Sequence, residues 1–563
     1  MAEVVSRIYS NFRGVDFRGE EINLVRSPDS LNVWKDYKET ESIRTRPGMT
    51  KVVDTSNDPT AGIVNGIYFF NGEMIIHSKK WLYKPGGGVV SLYFPVNDAR
   101  SNGFVYGGKF YFLDGKYYLV YDGESVSDVW ESAYVPTTSI GRKPAGGGTR
   151  YEDVNMLSDY RKNSFLADGE SKDFSLDTMS IDESFVPVVT VNGSVLAASN
   201  YTVDYLRGKI KFNTAPAAPL TDGQDNVLIE FKKAVPGYKE RILNCTLLQV
   251  FDNRVFVSGN KDYPNTVWHC SLDDPSYFSD TDYYNEGLDA AAVKGLVAGN
   301  NALWVFREPS SANTTVFYHT PTIDDEYGKV YPSAHSSVTT GCIGKAINFN
   351  DDIVFFSDRG MEGISGDVTT EQVVAHRSSL VDRKLIAEAD YKNMHLAEWE
   401  GYLLVFIGNK VYLADSRTKF TNEDHIEYEW FYWELDKEIT CTCVNDGILY
   451  LGTEDGVYTL TDTTGYLESY WVTPKDKFKY PHKLKTTNKR GCVAEATGDI
   501  SVYAKLEDTE FEHIGTYENV TDYFVSRIKR KKFKDIQLKF SSVTRFSLET
   551  ATLECFIGGY IKR

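Results

Sequence analysis

The sequence lacks any run of about 18 apolar residues, and residues 1–7 contain no apolar core. A membrane-spanning helix requires an apolar run of that length, and a secretory signal requires an apolar core near the N-terminus. We therefore expect no membrane span, and we expect the chain to fold in a cytoplasm.

Cysteine is scarce, with seven residues whose odd number and scattered positions form no disulfide framework. These cysteines are interpreted as reduced thiols. Cys441 and Cys443 lie two apart in a strand-like run, so their side chains share one sheet face. No second pair and no histidine cluster lies nearby, which favours core thiols over metal ligands.

Motifs that carry catalysis are also missing. The sequence has no His-Glu-x-x-His pair, no Gly-x-Ser-x-Gly turn and no phosphate-binding Gly-x-x-x-x-Gly-Lys-Ser/Thr loop. The candidate acids Asp273, Asp274, Asp280 and Asp282 lie within two residues of Ser, Thr or Pro, a composition typical of turns. We therefore predict that the protein is not an enzyme and has no catalytic residue, metal site or cofactor.

Aromatic residues are abundant, with 37 Tyr and 31 Phe making up most of an aromatic share of 14%. Aromatic side chains suit the half-buried surface of a pleated strand, so this composition favours β structure. The 44 glycines supply the tight turns that such a fold requires. A length of 563 residues predicts roughly two to four domains.

Short units of one pattern recur along the chain, each with an apolar strand, a tight polar turn and a second aromatic or aliphatic strand. Asn-Gly and Asp-Gly turns accept the positive φ angles of hairpins. The units recur about every 40–55 residues, as propeller blades do, and a blade is a meander of four strands. We predict an all-β fold containing a β-propeller of six or seven blades. The units are 62–83, 103–122, 247–270, 293–319, 343–366, 395–415 and 439–461, with turns at Asn71-Gly72, Asp114-Gly115, Asp252-Asn253, Asn300-Asn301, Asp351-Asp352, Glu400-Gly401 and Asp446-Gly447.

Changes of composition divide the chain further. A Pro-Gly-rich stretch at 144–148 precedes residues 155–235, which predict a small β-sandwich inserted between blades, with strands at 185–191, 201–205, 209–212 and 227–232. A helix is predicted over 379–389 from its period of 3.6 residues. The predicted segments are an extended N-terminal arm (1–55), a first part of the propeller (56–150), the inserted sandwich (155–235), a second part of the propeller (240–462) and a basic C-terminal β-sandwich domain (463–563).

Charge is distributed unevenly. Residues 463–563 carry 18 basic and 13 acidic side chains, a net charge of +5 within a chain whose total is −18, so residues 1–462 carry −23. The acidic part is a poor nucleic-acid binder because phosphate contacts need cations. It could serve as a surface along which DNA slides without adhering, and solubility alone is the simpler interpretation.

One basic run stands out in the C-terminal domain. It is interpreted as an edge strand whose lysines block unwanted pairing, or as a strand that docks on the acidic part of a neighbouring subunit. The docking residues would be Arg527, Lys529, Arg530, Lys531, Lys532 and Lys534.

Several segments resemble the tail nozzle and tail hub β-propeller proteins of short-tailed phages. They include Asn11-Phe12-Arg13-Gly14-Val15-Asp16, Ile43-Arg44-Thr45-Arg46-Pro47-Gly48-Met49, and Gly341-Cys342-Ile343-Gly344 followed by Ser357-Asp358-Arg359-Gly360. The resemblance implies a structural virion protein of the tail or neck, assembled in the host cytoplasm. Such proteins form rings, often hexameric, at the distal end of the portal–adaptor channel, where they retain genomic DNA and allow its ejection. The implied partners are further copies of the chain, portal–adaptor ring proteins, tail fibres or spikes, and DNA in passage.

Two alternatives remain open from the sequence. A receptor- or glycan-binding tail protein would use the inserted sandwich and the many tyrosines. A propeller-type glycan hydrolase would need two carboxylates across a bound sugar, which sequence cannot pair.

Overall fold

The computed structural model describes residues 3–38, 42–56, 62–86, 90–312, 314–325, 328–365, 373–422, 425–462, 465–529 and 531–561. The chain divides into two compact units. The first comprises residues 1–69, 74–79 and 336–563, and the second comprises 70–73 and 80–335. Each unit is built almost entirely from strands.

Three four-stranded sheets lie in the first unit, and two of them are simple meanders. Their strands are Ala346–Phe349, Asp352–Ser357, Gly360–Ser365 and Val373–His376, then His395–Trp399, Tyr402–Ile407, Lys410–Asn422 and His425–Glu434. The third sheet contains Cys441–Asn445, Ile448–Gly452 and Gly456–Thr461, and its fourth strand is Gly48–Asp54 from the N-terminal part of the chain.

The second unit repeats the arrangement three times. Its four-stranded sheets are Asn102–Tyr106, Lys109–Leu113, Tyr118–Tyr121 and Val126–Asp128, then Leu247–Phe251, Arg254–Ser258, Thr266–His269 and Tyr283–Asn285, then Val293–Gly299, Ala302–Arg307, Val316–His319 and Ser333–His335. A ribbon of Thr322–Asp324 and Gly328–Val330 precedes the last of these strands.

A further four-stranded sheet contains Val64–Phe70, Glu73–Ser78, Trp81–Lys84 and Val90–Tyr93, and the boundary between the units passes through it. Seven four-stranded sheets therefore occur among the described residues. Such meanders are the blades of a β-propeller. The all-β propeller fold predicted from the sequence is confirmed, and seven sheets correspond to the larger of the two predicted blade numbers.

The predicted hairpin turns account for much of this repetition. Both central residues have positive φ at five of the seven predicted turns, as in Asn71-Gly72 with angles of 51° and 79°. A type I′ turn needs this geometry. At the unit 343–366 the turn is Asn350-Asp351 and not the predicted Asp351-Asp352, because Asp352 already pairs with Phe349 in the ladder. Asp114 instead accepts hydrogen bonds from the backbone N–H groups of Lys116 and Tyr117.

Residues 137–232 form a separate body within the second unit. One sheet contains Thr137–Arg142, Thr149–Arg150, Tyr160–Phe165, Val188–Val191, Ser194–Val195 and Val227–Lys232, and the other contains Asp173–Ser175, Tyr201–Asp204 and Lys209–Phe212. Phe165, Phe174, Ile210 and Ile229 are completely buried in the core that these strands share. The inserted sandwich thus begins earlier than the predicted residue 155.

The C-terminal strands form one ten-stranded sheet, to which the N-terminal segment contributes. Lys483–Leu506 is its longest strand and pairs with Phe546–Tyr560 along one part and with Ile536–Ser542 along another. Residues 1–55, predicted as an extended arm, add four strands to this sheet. The strands are Val4–Tyr9, Ser30–Leu31, Val33–Lys35 and Ile43–Thr45 from the N-terminal segment, and Ser469–Val472, Lys483–Leu506, Glu512–Val520, Tyr523–Ser526, Ile536–Ser542 and Phe546–Tyr560 from the C-terminal one.

Helices are short. The helix predicted over 379–389 spans Asp382–Leu385, with hydrogen-bonded turns on either side, and Leu385 is buried. A second helix spans Tyr238–Leu243, and 3-10 turns occur at Val129–Ser132, Ala198–Asn200 and Tyr391–Asn393. Gly14–Val15 and Arg26–Ser27 form a small parallel pair in the N-terminal segment.

Candidate functional site

The basic segment 527–534 lies between the strands Tyr523–Ser526 and Ile536–Ser542 of the ten-stranded sheet. Its described residues, 527–529 and 531–534, belong to no strand, although a strand was predicted. Ile528 and Phe533 are both buried, with exposures of 7% and 1%. Residues five apart point to opposite faces of a regular strand, so burying both of them against one body requires the backbone to leave the extended path. The backbone of Phe533 is held by reciprocal hydrogen bonds of 3.0 and 2.8 Å with Lys485.

The charged side chains of this segment that the structure describes are exposed, and most of them have no ion-pair partner among the described residues. Lys531 pairs with Glu512 at 3.4 Å, but both side chains are more than half exposed, and such pairs contribute little. This is the one ion pair that the docking residues form within the part of the chain that the structure describes. The exposed docking residues are Arg527, Lys529, Lys531, Lys532 and Lys534, while Arg530 lies outside the described residues.

A hollow of about 120 Å³ lies beside the basic segment. Arg527, Lys529 and Lys531 line one side, and Leu506 and Ile514 contribute apolar surface. Small-molecule sites usually exceed about 300 Å³. The hollow is therefore the size of a single side chain, and its cations suit a carboxylate.

The N-terminal motif that carries the family resemblance is a buried structural element of the first unit. Phe12 and Val15 are buried, and Gly14 has a φ of +120°. A Cβ at Gly14 would stand 1.9 Å from the carbonyl oxygen of Trp430, so only glycine fits there. In the sequence this motif stands out only through the family resemblance, and its packing role is visible only in the structure.

Two arginines fix the same N-terminal segment. Arg26 donates two hydrogen bonds of 2.8 Å to Glu429, whose side chain is fully buried. Arg46 donates to Asn32 at 2.8 Å and to the backbone carbonyls of Pro47 and Glu434 at 2.8 and 2.7 Å. Burial lowers the pKa of Arg46 to about 10. The segment is therefore held in the first unit by polar contacts that demand specific partners.

The candidate acids of the sequence behave mainly as turn residues. Asp274 accepts hydrogen bonds from the N–H and Oγ of Ser276, and Asp273 has a φ of 58° and accepts the Tyr106 hydroxyl at 2.6 Å. Asp280 accepts the Tyr238 hydroxyl at 3.2 Å. Burial raises the pKa of Asp282 to about 6, a perturbation that the sequence did not signal.

No group of three or more His, Cys, Asp or Glu side chains that could hold a metal ion occurs among the described residues. All seven cysteines are free thiols. Cys441 and Cys443 occupy one strand, where Cys441 is buried and burial raises the pKa of Cys443 to about 11. No helix in the described ranges is long and apolar enough to cross a membrane.

A concavity of about 390 Å³ lies in the inserted sandwich, which the glycan-binding alternative requires. Its lining includes Thr190, Asn192, Leu220, Gln224 and Asp225, and the lining residues include no aromatic side chain. A sugar would find no ring to stack on in this hollow.

No family model matches the chain, and no curated protein matches it. Solved structures with some likeness include BamB from Moraxella catarrhalis, at 12% identity and a TM-score of 0.32, covering 73% of this chain and 97% of that chain. Another is the Pan2 WD40 domain of Neurospora crassa, at 10% identity and a TM-score of 0.27, covering 75% and 96%. A third is the exo-beta-1,3-galactanase of Phanerochaete chrysosporium, at 9% identity and a TM-score of 0.22, covering 55% and 94%. Likenesses at this level carry no information on activity or ligands.

Proposed function

We propose that the protein is a structural component of a phage tail or neck, a nozzle or hub subunit that assembles with copies of itself into a ring. In this role it would retain genomic DNA at the end of the portal–adaptor channel and let it pass at ejection. The role is mechanical and needs rigid sheets and specific subunit contacts.

The observation that carries the proposal is the basic segment 527–534. Five exposed cations lie on a backbone pinned by two buried side chains, and only one of them has an ion-pair partner among the described residues. Residues 1–462 carry a net charge of −23. A pre-organised cationic surface on an otherwise acidic chain favours contact with another copy, because opposite potentials steer association and set its register.

The resemblance of the N-terminal motif supports the phage assignment. The acidic part supports passage of DNA without adhesion, since a surface of the same sign as the phosphates repels them.

The mass of the full-length protein in solution tests this proposal. We expect assemblies of several copies at about 50 mM salt that dissociate at about 500 mM, because screening weakens contacts between exposed charges. Replacing Lys529, Lys531 and Lys532 by Glu should give a monomer at either salt concentration.

A matched control exists in the inserted sandwich, where Lys172, Lys209 and Lys211 are also exposed. Their replacement by Glu changes the net charge equally and should leave the assembly intact. Equal masses for the two triple variants would contradict docking through the basic segment.

A further inference from the structure

A hollow of about 390 Å³ lies in the first unit, and none of its lining residues belongs to the basic segment. Strands of the N-terminal segment, the turn at Trp399-Glu400, the end of the strand Gly456–Thr461 and the ten-stranded sheet all contribute to its lining. This volume lies within the range of small-molecule sites.

Two stacked indoles form one wall of this cavity. The ring centroids of Trp34 and Trp399 lie 5.5 Å apart with planes inclined by 16°. Trp433 packs edge-on against Trp34, and the indole N–H of Trp399 donates to the carbonyl of Gly447 at 3.0 Å. The wall is therefore held in place before any ligand arrives. The buried N–H of Trp34 has no acceptor among the described residues.

Charged side chains line the rest of the cavity in equal numbers of each sign. Lys38 pairs with Glu400 at 2.5 Å, and Arg44 pairs with Asp36 at 3.3 Å. Arg545 pairs with Asp462. Three cations and three carboxylates thus neutralise one another, so the lining offers many hydrogen-bond donors and acceptors and no net charge for an ionic ligand.

We propose that this cavity binds a neutral saccharide. A sugar ring has an apolar C–H face, which suits an indole wall, and a rim of hydroxyls, which can both donate and accept hydrogen bonds. Paired carboxylates and guanidinium groups match such hydroxyls without requiring charge on the ligand. The site lies outside the inserted sandwich and is independent of the assembly proposed above.

A printed array of neutral and acidic oligosaccharides, probed with the full-length protein, is the first measurement. We expect at least one neutral glycan to bind, and titration calorimetry with that glycan then gives its Kd. Trp399→Ala should weaken this binding at least about tenfold. The matched control is Trp130→Ala, which removes a partly exposed tryptophan of the second unit and should leave the Kd unchanged.

A second variant distinguishes the loss of a binding contact from a folding defect in Trp399→Ala. Thr461→Trp places a large side chain at an exposed position of the lining and leaves Trp34 and Trp399 unsubstituted, and it should also block binding. The inference is overturned if the array shows no neutral glycan bound, if only acidic glycans bind, or if both variants bind as the wild type does.

Discussion

His376 in the first unit and His269 in the second both lie at the ends of strands in four-stranded sheets, and their surroundings drive them to opposite protonation states. His376 Nε2 is 2.6 Å from Asp382 and Nδ1 is 3.3 Å from Glu362. Partial burial lowers its pKa, but the hydrogen bonds and charges of the two carboxylates outweigh burial and raise the pKa to about 10.

His269 has no carboxylate partner among the residues that the structure describes. Its Nδ1 lies 3.1 Å from the carbonyl oxygen of Cys270, and its ring packs on Tyr284 and Tyr331. Burial lowers its pKa to about 4, and the charge of Arg254 adds to the shift. Burial makes the protonated imidazole unfavourable at both sites. Neighbouring carboxylates determine whether the histidine stays protonated in spite of burial.

Removing a charge from the most buried pair of the first unit should have the largest effect. Arg26→Met leaves Glu429 buried without its bidentate partner, so we expect the free energy of unfolding to fall by about 3–5 kcal/mol, measured by urea denaturation. In the control, Arg207→Met removes an exposed pair of the inserted sandwich, and it should change stability by less than about 0.5 kcal/mol. Equal losses in the two variants would contradict the special role of paired buried charge.

Lowering the pH should destabilise the second unit because of the buried His269. The unfolded chain takes up a proton near the ordinary histidine pKa, whereas folded His269 takes one up only near pH 4. Its contribution to stability is therefore complete above about pH 6.5 and is lost as the pH falls to 4, at a cost of about 3 kcal/mol. The difference in unfolding free energy between the wild type and His269→Gln, measured from pH 7 to 4.5, should shrink accordingly. If this difference does not vary with pH, His269 is not the source of the loss of stability in acid.

Raising the pH should destabilise the first unit because His376 loses its proton. We expect this effect to be the smallest of the three, because 30% of the His376 side chain is exposed. Its contribution is complete below about pH 6.5 and is lost as the pH rises through about 10. Glu362→Gln should lower the pKa of His376 by about 1–3 units in an NMR titration. His482→Gln, at an exposed histidine, is the control and should leave that titration unchanged. An unaltered His376 pKa in Glu362→Gln would show that the carboxylates do not hold the proton.

Hairpins were predictable from the sequence because their signal is local. Asn71-Gly72 and Asp446-Gly447 carry in two residues the backbone preference that each turn needs. The strands Lys209–Phe212 and Val227–Lys232 of the inserted sandwich also match their predicted bounds.

Long-range partners were not predictable. Arg26 and Glu429 are 403 residues apart, and neither neighbourhood signals the other. The same applies to Trp34 and Trp399, which form the cavity wall only after folding. The basic segment was misjudged as a strand because consecutive lysines hide the spacing of Ile528 and Phe533, whose joint burial determines its path.

The strand Gly48–Asp54 has a consequence for how the chain is made. Its ladder partner is Gly456–Thr461, which is made some 400 residues later. Until then its edge lacks a native neighbour, and an unpaired edge invites association with other nascent chains. Completing that sheet also closes a very long loop, which slows folding. Translation beyond residue 461 is therefore the earliest moment at which this sheet can be completed.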